Sequence, residues 1–372
     1  MHASAERKPK AWLLQRLHLL CRFSNPPHTA ERELFANHVT VAESGEHALL
    51  TRLLARLPRQ SSSVLIGPGD DAAVMAPVRN ERLVVTTDAV VEDVHFSRES
   101  SSPRDIGHKA LAVNLSDLAA MAATPRWALV SLILPGGWLV SDVESLIDGL
   151  AALAACHGVS VVGGNLTRTD GPLVVDVTAG GEVGPRRWLT RAGARPGDDV
   201  WVSGTIGGAT AGLEMLRSEG LAHPPDPGCI ERHRRPTPRV RLGVAMGRGR
   251  AARAAMDLSD GLADGLTQMA SASGCGVRLD GRALPIDRAA VAWWESRGVD
   301  PIPAALSAGD DYELLFAVPK RGAGRLRNVV RRVANPPLTR IGVFTQERAG
   351  LVVTREGRED PIPKGYEHFR ES

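Results

Sequence analysis

Short apolar runs that each lead into a cluster of acidic side chains constrain this chain more than any other feature. Val64-Leu65-Ile66 leads into Gly-Pro-Gly-Asp-Asp at 67–71, and Leu83-Val84-Val85 into Thr-Thr-Asp at 86–88. Further on stand Glu92 and Asp93, Asp117 in Asn-Leu-Ser-Asp, Asp257 and Asp260 in Asp-Leu-Ser-Asp-Gly, and Asp310 and Asp311 in Gly-Asp-Asp-Tyr-Glu-Leu. Strands that deliver polar groups at their C-terminal ends are the usual way an α/β sheet presents ligand-binding residues. Helical periodicity recurs between these runs. Leucines at 49, 50, 53, 54 and 57 mark a short amphipathic helix over 46–57, broken by Pro58. Ile106, Ala110, Leu111, Leu115, Leu118 and Met121 form a stripe over 105–123, with Asp105 as N-cap and Asn114 and Asp117 on one face. The pattern predicts further helices over 142–157 and opening at Asp257, and strands over 127–134, 159–162, 173–179 and 199–203. The fold class is α/β (α+β).

At 372 residues the chain exceeds the size at which a single core stops growing, so two domains are expected. Gly180, Gly181, Gly184 and Pro185, followed by Arg186-Arg187, mark the boundary. The division is a polar N-terminal extension over 1–42, an N-terminal domain over 43–185 and a C-terminal α/β domain over 186–372. A net charge of +3 is too small to imply a nucleic-acid partner. The arginine-rich stretch 232–253 is the best argument for one, yet it lacks interleaved aromatics and reads as a solvated helical face. No membrane association is expected, because the longest apolar candidate, 127–134, is cut off by Pro135-Gly136-Gly137. Cys21, Cys156, Cys229 and Cys275 are widely spread without a disulfide framework, which fits a reducing cytoplasm.

Carboxylates converging on one cleft repel unless cations sit between them, and oxygen-only ligands suit hard ions such as Mg²⁺. A Mg²⁺-dependent enzyme acting on phosphates follows. The chain has neither a G-x-x-x-x-G-K-[ST] loop nor protein-kinase signatures, so phosphate would be held through aspartate-bridged metal. Some acidic residues also have plainer readings: Asp70-Asp71 as a turn tip, and Ser259-Asp260 as a helix cap.

Eight ordered segments resemble the bacterial thiamine-monophosphate kinase family of the aminoimidazole-ribonucleotide-synthetase-like superfamily. They are Gly-Pro-Gly-Asp-Asp-Ala-Ala (67–73), Thr-Thr-Asp (86–88) with His95-Phe96, Lys-Ala-Leu-Ala-Val-Asn-Leu-Ser-Asp (109–117), Leu-Thr-Arg-Ala-Gly-Ala-Arg-Pro-Gly (189–197), Arg-Arg-Pro-Thr-Pro-Arg (234–239), Asp-Leu-Ser-Asp-Gly (257–261), Gly-Asp-Asp-Tyr-Glu-Leu (309–314) and Lys-Gly-Tyr-Glu-His-Phe (364–369). The resemblance implies a two-domain fold whose N-terminal sheets pair in a homodimer, with the active site between the domains. It implies Asp71, Thr86, Thr87, Asp88, Asp117, Asp257 and Asp260 as ligands of several Mg²⁺ ions, Arg191 and Ser259 as ATP contacts, and His95, Asp310 and Tyr366 as lining for thiamine monophosphate. The implied reaction is ATP plus thiamine monophosphate giving ADP plus thiamine diphosphate, with ATP as co-substrate and no general base.

Two departures stand out. Asn165 replaces an Asp of the family pattern in Gly-Gly-Asn; its carbonyl oxygen still serves as a metal ligand, one charge weaker. Asp310 stands where the family often has Glu. The alternatives are a same-fold paralogue using ATP on another substrate, or a non-catalytic homologue, motivated by Asn165.

Overall fold

The computed structural model describes residues 39–68, 72–218, 225–347, 350–355 and 357–363. Asp71 and Tyr366 lie outside the described residues. The described chain opens with α1 (Val41–Ser44) and α2 (Glu46–Leu54). Thr40 starts α1 through a reciprocal cap, its hydroxyl accepting from Glu43 N while the Glu43 carboxylate accepts from Thr40 N. Val41 N donates to Trp138 O at 2.7 Å and Val140 N to Val39 O at 2.8 Å, so packed structure already includes Val39.

A small ribbon of β1 (Val64–Ile66) and β2 (Val74–Met75) precedes the first main sheet. That sheet is built from β3 (Arg82–Val91), then α3 (Pro103–Ala120), β4 (Thr124–Pro135), α4 (Val140–His157), β5 (Ser160–Thr169) and β6 (Val174–Val183), with strand order β3-β6-β4-β5. Thr86-Thr87-Asp88 does not follow its strand, as the sequence pattern suggested, but lies inside it, because all ten residues of β3 pair with β6. Ser102, not Asp105, is the N-cap of α3; Asp105 sits three residues on and returns a hydrogen bond to Ser102 N at 3.2 Å.

Both helices cover one face of this sheet, where Val130, Leu132, Leu134, Val175, Val177 and Ala179 are buried. Two glycines let α3 and α4 cross at backbone distance: a Cβ on Gly107 would stand 1.8 Å from Leu146 O, and one on Gly149 would stand 1.9 Å from Arg104 O. The opposite face is open, leaving Leu83, Val85 and Leu129 exposed at 63%, 52% and 38%.

The second domain continues with β7 (Asp199–Ser203), α5 (Gly208–Arg217), α6 (Pro227–Arg234), α7 (Val240–Gly249), β8 (Ala254–Asp257), α8 (Leu262–Ser273) and β9 (Gly276–Asp280). It ends with α9 (Arg288–Glu295), α10 (Pro301–Ser307), β10 (Leu314–Val318), α11 (Ala323–Val333), β11 (Leu338–Thr345), β12 (Leu351–Arg355) and β13 (Arg358–Pro361). Its sheet runs β13-β12-β9-β11-β7-β10-β8, antiparallel except where β12 meets β9. One face packs on α5, α8, α9 and α10 through residues such as Leu266, Met269 and Trp294.

The other face, including Ala255, Leu314 and Phe316, joins α7 and α11 in a core continuous with that of the first domain. The helix common to both halves is α3, which touches β3 and β6 on one side and α7 and β8 on the other. A Cβ on Gly243 would meet Ala119 O at 1.9 Å, so α7 lies directly on the α3 backbone. The amphipathic stripe expected for α3 is therefore a helix buried almost all round, with Lys109, Asn114 and Ser116 inside.

Candidate active site

At the seam between the domains, β3 contributes Thr86 and Asp88, α3 contributes Asn114, Ser116 and Asp117, and the end of β8 contributes Asp257. The Thr86 hydroxyl donates to Asp117 Oδ2, tying strand to helix. Asn114 Nδ2 donates to Ala110 O at 3.0 Å and to Asp88 O at 3.4 Å. Ser116 Oγ donates to Asp257 Oδ2 at 2.7 Å across the domain boundary. Burial, reinforced by the neighbouring Asp117 carboxylate, pushes Asp257 up to about 7, partly against the Ser116 hydrogen bond. Burial and then the Asp117 charge likewise push Asp88 up to about 7, with Asp260 and Asp176 adding to the repulsion.

This cluster is short of positive charge. Asn114 is fully buried and its Oδ1, an acceptor, has no hydrogen-bond partner among the described residues. Two carboxylates held near neutrality and an unmatched buried oxygen fit a hard cation, so the donor chemistry suits Mg²⁺. Among the described residues no three His, Cys, Asp or Glu side chains close around one point as a complete protein cage.

Beside the carboxylates, Lys109 Nζ donates to Asp310 Oδ2 at 2.8 Å and to His95 O at 2.9 Å. His233, buried on α6, places Nδ1 3.5 Å from the same Asp310 oxygen, and Tyr312 donates to Asp310 Oδ1 at 3.2 Å. Burial would raise the Asp310 pKa, but the Lys109 ammonium and His233 outweigh it and hold the carboxyl below the ordinary range. Burial lowers the His233 pKa. Asp310 N also donates to Ser259 O at 2.7 Å, so the two acidic loops are stitched together.

The structure thus brings together Thr86, Asp88, Asp117, Asp257 and Asp260, with Asp310, Ser259 and His95 alongside. It does not gather all ten acidic residues. Glu92 accepts from Leu173 N at 3.0 Å, and Asp93 is exposed. Asp311 caps α5, accepting from Gly207 N at 2.6 Å and Ala209 N at 3.2 Å. Thr87 and Asn165 occupy the open sheet face: Thr87 donates to Asp176 Oδ1 at 3.1 Å, and Asn165, paired with Ser131, donates to Thr167 Oγ1 at 2.8 Å. Arg191 is exposed and donates to Gln268 on α8 at 2.5 Å. Asp257 ends a strand instead of opening a helix, and α8 begins at Leu262 after Gly261, so Ser259 and Asp260 occupy the intervening loop. Sequence reasoning missed Lys109, Ser116 and His233 as contributors, although the first two stand in the 109–117 segment singled out above.

The arginines of 232–253 are more than a solvated face. Arg239 forms a buried pair with Glu313, which also accepts from Ser203 Oγ at 2.5 Å, and Arg253 lies 3.5 Å from Asp198.

Two sheets sharing a helix, with a carboxylate cleft along it, define a two-domain protein of the AIR synthase related class. The family models for the N-terminal and C-terminal domains of AIR synthase related proteins match residues 69–183 and 195–354. Within that class the chain belongs to the thiamine-monophosphate kinase family. It is 40% identical to the thiamine-monophosphate kinase of Escherichia coli strain K12, over 87% of this chain and 98% of that one, and 36% identical to that of Bacillus subtilis, over 83% and 95%. Among solved structures, thiamine-monophosphate kinase from Stenotrophomonas maltophilia K279a matches with TM-score 0.72 and 40% identity, over 85% of this chain and 98% of that one. The structure of AaThiL complexed with AMPPCP and TMP matches with TM-score 0.67 and 34% identity, over 89% and 99%. The hydrogenase maturation protein HypE shares the fold at 21% identity and TM-score 0.69, over 82% of this chain and 94% of that one.

Proposed function

We propose that this chain transfers the terminal phosphoryl group of ATP to thiamine monophosphate, giving ADP and thiamine diphosphate. Membership of the kinase family and the match to a relative complexed with AMPPCP and TMP support the reaction. The observation that carries it is the convergence of Asp88, Asp117 and Asp257, drawn from both domains, beside an unmatched buried Asn114 oxygen.

In this reading Asp88, Asp117, Asp257 and Asp260, with Thr86 and Asp71, hold Mg²⁺. Mg²⁺ commonly takes one or two carboxylates and completes its shell with substrate phosphates, which suits a cleft that forms no protein cage by itself. When bound, the metal neutralises phosphate charge and aligns donor with acceptor. Ser116 orients Asp257, and Thr86 orients Asp117. Ser259 and Arg191 face ATP; His95, Asp310 and Tyr366 line the thiamine monophosphate side. The acceptor is a phosphate oxygen, largely ionised at neutral pH because the second pKa of a phosphomonoester is about 6, so no general base is needed.

Asn165 leaves the charge of the cleft within one chain unchanged, because it lies on the open sheet face. Thr87 and Asn165 join the metal set only through whatever covers that face. A second copy of the chain is the proposed cover, giving a homodimer joined through Leu83, Val85 and Leu129. Cys229 and Cys275 are buried free thiols and Cys156 an exposed one, consistent with a reducing cytoplasm. No helix among the described residues is long and apolar enough to cross a membrane.

The test incubates the purified full chain with Mg²⁺, ATP and thiamine monophosphate and chromatographs the products. Thiamine diphosphate and ADP should form in equal amounts and stop forming in excess chelator. ATP turnover without thiamine diphosphate would send the assignment to a different acceptor.

A further inference from the structure

A second charged cavity, of about 510 Å³, opens at the other end of β8. Asp257 closes that strand at the cleft, whereas Arg253 precedes it; four residues at ~3.3 Å each put the two sites about 13 Å apart along the strand. The cavity is lined by Arg186, Arg187, Arg250, Arg253, Arg321 and Arg325, and among the described residues no carboxylate lines it. Among the described residues only Arg253 of these six forms an ion pair, at 3.5 Å from Asp198. Six arginines around one cavity concentrate positive charge there, Arg325 Nη1 donating to Arg250 O at 3.2 Å, and the cleft chemistry makes no use of them.

The local fold adds positive potential. The segment 186–188 is pressed against α7: a Cβ on Gly247 would meet Arg187 O at 2.5 Å, and Arg186 is held at φ 57°. The first turn of α11 faces the cavity through Gly322 and Arg325, with no side-chain cap and no acidic residue. Basic residues at the positive end of a helix are the reverse of what the macrodipole favours, unless an anion lies between them. Trp188, 43% exposed, forms part of the same wall. The cavity has the volume of a small-molecule site, not of an extended groove.

The geometry points to a second anion site here, one that takes a small molecule bearing a di- or triphosphate group, bound by the arginines and bordered by Trp188. Guanidinium groups pair bidentately with phosphate oxygens, and every basic residue in the wall is an arginine. The inference is independent of the reaction assigned to the cleft.

The experiment titrates the full-length protein, in chelator, with inorganic triphosphate, inorganic diphosphate and ADP by calorimetry. Five proteins are compared: the unaltered chain, the double variant Arg187→Ser/Arg321→Ser, the single variants Arg325→Glu and Trp188→Leu, and the cleft variant Asp257→Asn. The site predicts binding that survives Asp257→Asn and weakens at least tenfold in both arginine variants, while their melting temperatures stay near that of the unaltered chain. ADP binding more tightly than inorganic diphosphate, with the excess lost in Trp188→Leu, identifies a ligand carrying an aromatic ring; equal affinities identify free polyphosphate. The proposal is overturned by no binding to the unaltered chain, by binding the arginine variants retain, or by binding lost only with Asp257→Asn. A single-stranded RNA shift abolished by the arginine variants, without triphosphate binding, would also overturn it and assign the cavity to nucleic acid.

Discussion

One hydroxyl, that of Ser116, stands between the two halves of the cleft and decides how Asp257 is presented. Groups that orient metal-binding carboxylates commonly contribute 10–100-fold in metal affinity, so Ser116→Ala should raise the Mg²⁺ concentration for half-maximal activity by roughly 10-fold. Activity against Mg²⁺ concentration measures this; a fall in maximal rate with unchanged Mg²⁺ dependence would contradict it. Lys109 makes a different case, because its ammonium is buried against Asp310. Lys109→Met strands that carboxylate and should cost about 3–5 kcal/mol at pH 7, read from urea unfolding. The pH dependence follows from the depressed Asp310 pKa. The stabilisation is complete above the unfolded carboxyl value of about 4 and is lost as pH falls toward the folded value, so the gap between the two proteins should close on acidification. Parallel curves from pH 7 to pH 3 would show that the ion pair is not its source. Asp88, Asp117 and Asp257 were legible from sequence because each carries a charge inside a short ordered motif. Ser116 and Lys109 were not, since their meaning appears only when a second domain covers the helix that bears them.

Among the elements, α3 shows most clearly what periodicity reveals and what it hides. Its position and approximate length follow from the apolar stripe, but a stripe implies one buried face, and this helix is buried by β3 and β6 on one side and by α7 and β8 on the other. The alanines and the serine interleaved with leucines between Ala110 and Ala120, leaving no run of charged residues for a solvent face, are the signal of such double coverage. Close approach at Gly107 makes a sharp prediction: Gly107→Ala places a methyl group 1.8 Å from Leu146 O, which no side-chain rotation relieves. The expected cost is about 1–3 kcal/mol, toward the upper end because the clash is with backbone. A thermal melt should fall by several degrees, and an unchanged melt would mean that α3 and α4 can separate without loss. The strand and helix ends were less legible. Thr86 to Asp88 read as a polar cluster at the end of the 83–85 strand because polar residues usually close strands, yet the full β6 partner carries β3 through them. Ser259 and Asp260 read as a helix start, but the Leu258 N–H donates to Glu313 O and the chain turns at Gly261, φ 95°, before α8 begins.

At the level of the whole molecule, the open face of the first sheet is the surface that invites a partner. Leu83→Glu with Val85→Glu should turn the proposed dimer into a monomer in light scattering after size exclusion, with little change in helical content; an unchanged mass would place any interface elsewhere. The two-domain plan was legible from length. The seam was not, because its contacts join residues more than a hundred positions apart. Through Ser116 and Asp257 the seam also sets a rule for exchange between relatives. A hybrid that takes residues up to the first sheet from one parent and the remainder from another inherits two sound halves, yet its chemistry returns only if hydroxyl and carboxylate fall back into reach over the glycine-tight crossing of Gly243 on Ala119. Heredity must therefore carry the pair as one unit, even though translation writes its members 141 positions apart.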